Sequence, residues 1–185
     1  IPLRTLGDFI RPVDVRNSDG QLGTHDAMGI NISKTFMPSV ANLSQTDLSK
    51  YKIVRKGQFV YSPMQVGRDE CVRVALYTRK NPIIVSPAYV VFEVTDQTVL
   101  IPEFIFLWFS RPEFDRYGWF LSDGSVRSSL EFSRFCAVQL PVPPIDQQRS
   151  IVALFHATEA RRELMDKLDA TIAKLGTVLM GGLSQ

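Results

Sequence analysis

Cysteine and histidine are scarce in this chain of 185 residues: two of each, Cys71 with Cys136 and His25 with His156. The cysteines lie far apart with no Cys-x-x-Cys pair, which argues against a disulfide framework and suits buried, reduced thiols. Neither histidine has a second His or a Cys at metal-ligand spacing, so both read as surface or packing residues and no metal is expected. No Gly-rich turn follows a predicted strand, which removes the usual signal for a nucleotide or methyl-donor cofactor. Asn81-Pro82 runs on into Ile83 and so does not form the Asn/Asp-Pro-Pro-aromatic tetrad of amino-methyltransferases. The metal-nuclease pattern, a carboxylate pair followed by Glu-x-Lys, is missing too. With no cofactor and no catalytic group indicated, the chain reads as a binding module, not an enzyme.

Long apolar runs and one-sided charge are also lacking. The runs near 82–94 and 100–109 are broken by Ser86, Pro87, Pro102 and Glu103, well short of the ~20 residues that span a bilayer. No signal-peptide pattern opens the chain, so a cytoplasmic location is expected and the sequons at Asn31 and Asn42 carry no weight. Ile1 in place of an initiating methionine suggests a trimmed chain or a piece of something longer. The net charge of +2, from 21 basic and 19 acidic residues, means that any positive surface must come from local arrangement. What is present in quantity is hydrophobic residues, at 45%, enough for a real core.

The fold class read from the pattern is α/β of the α+β type: a compact mixed-sheet domain over residues 1–143, then a long coiled-coil helix over 144–185. Turn signals at 18–20, 56–57, 80–82 and 122–125 punctuate short apolar runs. "CVRVALYTR" alternates, with Val72, Val74 and Leu76 on one face and Arg73, Ala75, Tyr77 and Arg79 on the other, and predicts a half-buried strand with a basic, aromatic outer face. "IVRKGQFVY" predicts two strands joined at Lys56-Gly57, and "IIVSPAYVVFEV" a strand bent at Ser86-Pro87, both in one sheet. "PEFIFLWFSRPEFDRY" predicts two short helices, each opened by a proline. Its aromatic residues, with Trp119 and Phe120 beyond, are tempting as a base-stacking platform, but their helical spacing makes them mostly core.

After Pro144 a 3,4 spacing takes over through Ile151, Phe155, Thr158, Arg161, Met165, Leu168, Ile172, Leu175 and Leu179. From Arg161 onward it is a heptad seam, which calls for a partner helix. Running from about Gln147 to Met180, the helix would extend roughly 50 Å at 1.5 Å per residue and stop at Gly181-Gly182. "LPVPPIDQQRSIV" is the junction: its prolines end a strand, and Asp146 places a negative group in the first helical turn, where the dipole favours it.

These parts resemble a known family. "DGSVRSSLEFSRFCAVQLPVPPIDQQRSIVALF" (123–155) resembles the end of a target recognition domain and the start of the long helix in specificity subunits of type I restriction-modification systems: a Gly-Ser-x-Arg loop, a strand ending in Leu-Pro-x-Pro-Pro, and a helix opening with Gln and then Ile-Val. "YKIVRKGQFVYSPMQVGRDECVRVALYTRKNPIIVSPAYVVFEV" (51–94) is similar to the same family in its hairpin and its "vSp.Y.vF" strand. Gln147 stands where the family often has Glu. The resemblance implies a non-catalytic reader of double-stranded DNA that directs a methyltransferase subunit, and a restriction subunit where one exists, to one half of a split site. It also implies a homodimer through the helix seam (Phe155, Met165, Leu168, Ile172, Leu175, Leu179), or one half of a longer subunit.

A base reader needs bidentate donors on loops and phosphate contacts that set register. "SPMQVGRDE" offers Gln65, suited to adenine, and Arg68, suited to guanine. "SDGSVRSS" offers Ser125, Arg127, Ser128 and Ser129 for phosphate, with Arg127 as the anchor. Lys34 lies in a polar stretch where the family varies, and Arg73, with Tyr77 and Arg79, could form a basic wall beside the duplex. The competing readings are a coiled-coil adaptor that docks protein only, and the specificity domain of a fused restriction-methylation enzyme. A basic groove joining Arg68, Arg73 and Arg127 favours DNA over the adaptor.

Overall fold

The computed structural model describes the backbone of residues 2–64, 66–122 and 128–182, with side chains of the last helix as far as Leu175. Among the described residues the strands are β1 (Leu3–Thr5), β2 (Ile10–Val13), β3 (Ala27–Ile30), β4 (Phe36–Pro38), β5 (Lys52–Val54), β6 (Phe59–Tyr61), β7 (Val74–Leu76), β8 (Ile83–Val85), β9 (Val90–Val94) and β10 (Gln139–Pro141). The α-helices are α1 (Val66–Asp69), α2 (Pro102–Phe109), α3 (Pro112–Leu121), α4 (Phe132–Cys136) and α5 (Ile145–Gly182). The chain divides into two compact units, Ile1–Ile145 and Asp146–Gln185.

Among the described residues the first unit holds three sheets, not one. One has the order β2-β9-β6-β7 and is antiparallel throughout; a second has the order β4-β3-β8-β5, with β3 and β8 parallel; β1 and β10 form a separate pair. Lys56-Gly57 is therefore a crossing and not a hairpin turn: β5 belongs to one four-stranded sheet and β6 to the other. Gly57 supplies the positive φ of +87° that the crossing needs, and its N–H donates to Tyr77 O at 2.8 Å. Ser86-Pro87 likewise separates β8 from β9 instead of bending one strand. Pro12 and Pro38 sit on the edge strands β2 and β4, where a missing N–H is tolerated.

Short strands buried on both faces explain why one sheet is the wrong reading. Between the two sheets lie Ile30, Val54, Val60, Ala75, Tyr77, Val85 and Val91. The next residues along the same strands point the other way, where Phe59 and Phe92 stack at 4.8 Å and Tyr61 and Phe135 at 4.4 Å. Helices α2 and α4 close that side, with Phe109 5.3 Å from Phe135. Ala27, Ile53 and Ile84 face away on the second sheet, beneath Leu22, Leu43 and Leu48. Every position of β7 is buried, and Tyr77 is a core residue whose hydroxyl donates to Asn81 O. The outer face expected for this strand does not exist: Tyr77 packs between sheets, and of the four residues expected there Arg79 alone is exposed.

The two proline-opened helices are present as α2 and α3, each with proline in its first turn. Phe104, Phe109 and Phe114 are core, whereas Tyr117, Trp119 and Phe120 are exposed on α3. Helix α5 runs continuously from Ile145 to Gly182, so its backbone stays helical through Gly181. Along it, Arg149 pairs with Asp146 at 3.1 Å and Arg162 with Glu159 at 3.2 Å, the pairs of a solvated helix surface.

Candidate nucleic-acid interface

A cleft of about 560 Å³ opens beside the β3–β4 hairpin. Residues Gly29–Ile32 and Met37–Ala41 line it from the hairpin, and Arg68, Asp69 and Arg73 from the segment leading into β7. Two of the arginines expected to meet DNA thus come together in one place. Asp69 joins them: its carboxylate lies 3.1 Å from Arg68 Nε and 3.4 Å from Arg73 Nη2. Arg73 Nη2 also donates to Met64 O at 3.3 Å, and its side chain is only 17% exposed against 66% for Arg68. The geometry therefore separates their roles. Arg68 projects into solvent at the cleft, while Arg73 braces the segment from which Arg68 projects.

Lys34 has a different position from the one its sequence context suggests. It is 6% exposed, with Nζ 2.7 Å from Asp115 Oδ1, a second hydrogen bond to Phe109 O, and the Phe114 ring 5.8 Å away. Lys34 is thus committed to the part-buried Asp115 carboxylate and to the end of α2, and is not held out on an exposed reading loop. Sequence reasoning misses this pair because Lys34 and Asp115 are far apart in the chain and neither stands in a recognisable pattern.

Ser128 is half-buried with φ +44°, two residues before Leu130, whose N–H donates to Pro63 O at 2.8 Å. The end of the serine loop is thereby fastened to the start of the Arg68 segment. Gln65, Ser125 and Arg127 lie outside the described residues, as does the side chain of Leu179. The remaining seam residues, Phe155, Met165, Leu168, Ile172 and Leu175, are exposed on α5. Leu154, more exposed than Phe155, carries the 3,4 register back from Thr158 and joins the seam.

Both cysteines are free thiols. Burial pushes the Cys71 pKa up, helped by the nearby Asp115 carboxylate, and burial alone raises that of Cys136. No group of His, Cys, Asp and Glu among the described residues could hold a metal ion, and no described helix is long and apolar enough to cross a membrane.

The family model of the type I restriction modification DNA specificity domain matches residues 68–174, more than half of the chain. The chain belongs to this family. The match begins at Arg68 in the cleft and runs through α3, the serine loop and most of α5.

Solved structures with the same fold include the HsdS subunit from Thermoanaerobacter tengcongensis, with a TM-score of 0.67 and 19% identity over 97% of this chain and 47% of that one. A chain from a structure on complex assembly and conformational transition of the type I R-M system has a TM-score of 0.62 and 20% identity, again over 97% and 47%. This specificity-domain chain thus spans about half the length of those solved chains. No curated protein matches it.

Proposed function

We infer that this specificity domain is a non-catalytic, sequence-specific reader of double-stranded DNA that recognises one half of a bipartite site and brings a methyltransferase subunit, and a restriction subunit where present, to it in the cytoplasm. The observation that carries the reading is the exposed guanidinium of Arg68 at a cleft, seated on Asp69 and braced by Arg73, inside the segment that the family model matches. Arginine is the usual bidentate partner of guanine O6 and N7, and a braced side chain loses less freedom on binding. Gln65 is the second base-reading candidate. Ser125, Arg127 and Ser128 are proposed to hold phosphate and so set the register.

The helix supports the other half of this reading. An exposed apolar seam of Leu154, Met165, Leu168, Ile172 and Leu175 is suited to a second copy of the chain or to the second half of a longer subunit. Either arrangement makes α5 a spacer that sets the distance between half-sites.

The test is duplex binding by the chain together with its methyltransferase subunit across a salt series. Affinity should fall as salt rises, and Arg68→Ala should cost about 1–3 kcal/mol of discrimination between preferred and scrambled duplexes. Equal affinity for all duplexes would defeat the proposal.

A further inference from the structure

Three non-glycine residues have positive φ among the described residues: Lys34 at +59°, Glu70 at +48° and Ser128 at +44°. They come from distant parts of the chain, yet all three bear on the segment from Pro63 to Arg73. Glu70 lies within it. Ser128 leads into Leu130, which is hydrogen-bonded to Pro63. Lys34 acts through Asp115, whose Oδ1 accepts both the Lys34 ammonium at 2.7 Å and the Val72 N–H at 2.9 Å. Left-handed backbone at a non-glycine residue persists only where the surroundings enforce it, and such strain gathers at functional sites.

The Lys34 arrangement binds four elements at once. Its ammonium donates to Phe109 O at the C-terminal end of α2, where the helix dipole favours a cation, and pairs with Asp115 in the first turn of α3. Its backbone closes the tip of the β3–β4 hairpin, with Lys34 N–H on Asn31 O and Thr35 N–H on Asn31 Oδ1. Cys71 Sγ donates to Ile32 O at 3.2 Å, so the hairpin tip also touches the Arg68 segment directly. Val72 is seated on α3 where only a glycine fits beneath it, at Gly118. Both walls of the cleft, the hairpin and the Arg68–Arg73 segment, are thus held to the helical layer through the Lys34–Asp115 ion pair.

We propose that Lys34 is a positioning residue for DNA recognition: through Asp115 it fixes the backbone at Val72, and with it the Asp69-braced Arg68 and Arg73, in the orientation that reads sequence. The proposal rests on the DNA-reading function above. Lys34 makes no contact with DNA in it; what it controls is the preference for one sequence over another, not the general attraction to phosphate.

The test uses the chain with its methyltransferase subunit. The duplex preferred by the unaltered chain is first selected from a random-sequence pool. Affinities for that duplex and for a scrambled one of equal length are then measured across a salt series for Asp115→Asn and for Lys34→Met combined with Asp115→Asn. The Asp115→Asn change keeps a carbonyl acceptor for the Val72 N–H. The double variant removes both charges together and leaves no lone buried charge. Both variants should lower the preferred-to-scrambled ratio about tenfold or more, the size of one bidentate base contact, with the scrambled affinity and its salt slope unchanged. An unchanged ratio in a variant that keeps a cooperative melting transition overturns the proposal, as does an equal loss for both duplexes. Should the double variant not fold, Asp115→Asn decides alone. If the unaltered chain selects no duplex, it is the DNA-reading function that fails.

Discussion

Gly118 and Val72 touch without room for another carbon: a Cβ on Gly118 would lie 2.1 Å from Val72 Cγ2. This contact seats the Arg68–Arg73 segment on α3. Gly118→Ala should therefore destabilise the domain by about 1–3 kcal/mol, the usual cost of overpacking. Combining it with Val72→Ala, which vacates the space, should recover part of that loss even though each change alone destabilises. Urea unfolding of the two single variants and the double variant measures the coupling; strict additivity would show that the contact relaxes at no cost.

Glu93, on the inner strand β9, gives its sheet a pH dependence. Its pKa is held below the ordinary 4.5, chiefly by the hydrogen bond from Gln58 Nε2; partial burial opposes this, and the hydrogen bond and charge of Arg11 add to the lowering. A carboxyl depressed in the folded state contributes stability that is complete above about 4.5 and is lost as pH falls through the lower folded value. Glu93→Gln should then show a shallower loss of stability on acidification below 4.5 than the unaltered chain. Unfolding free energies at a series of pH values provide the comparison, and parallel curves would assign the acid sensitivity elsewhere.

The two thiols should be poor nucleophiles. Cys71 is buried, Cys136 is half-buried, and both pKa values are raised, so little thiolate is present near neutrality. Alkylation of the folded chain should be slower than that of a free thiol and should accelerate on addition of denaturant. Mass spectrometry over time reads both rates; fast labelling of Cys71 in the native chain would contradict its burial.

On α5, replacing Leu168 and Ile172 with Asp places two charges in the seam. Both side chains are exposed, so the melting temperature of the first unit should not move, while any self-association should disappear. Light scattering at several concentrations checks this. An unchanged mass, with a dimer still present, would remove the seam from the interface.

Much of this architecture follows from local pattern. The proline-opened α2 and α3 and the long seam of α5 follow from proline chemistry and helical periodicity, which act over neighbouring residues. The junction before α5 is legible for the same reason, and the order of motifs along 51–155 is enough to indicate the family. Arg68 is legible as an available donor, although it stands on the short helix α1 and not on a loop.

Contacts between residues far apart in the chain lie beyond such local pattern. Three-residue strands buried on both faces have no alternation to show which sheet each belongs to, so Lys56-Gly57 reads as a hairpin when it is a crossing. The same blindness makes Tyr77 read as a surface residue and Lys34 as part of an exposed polar stretch. Tyr77 is buried because a second sheet covers its face, and Lys34 is buried because Asp115 and the end of α2 surround its charge. Residue type and spacing specify which groups are available; whether a charge faces solvent or a buried partner depends on packing between segments that the sequence keeps apart.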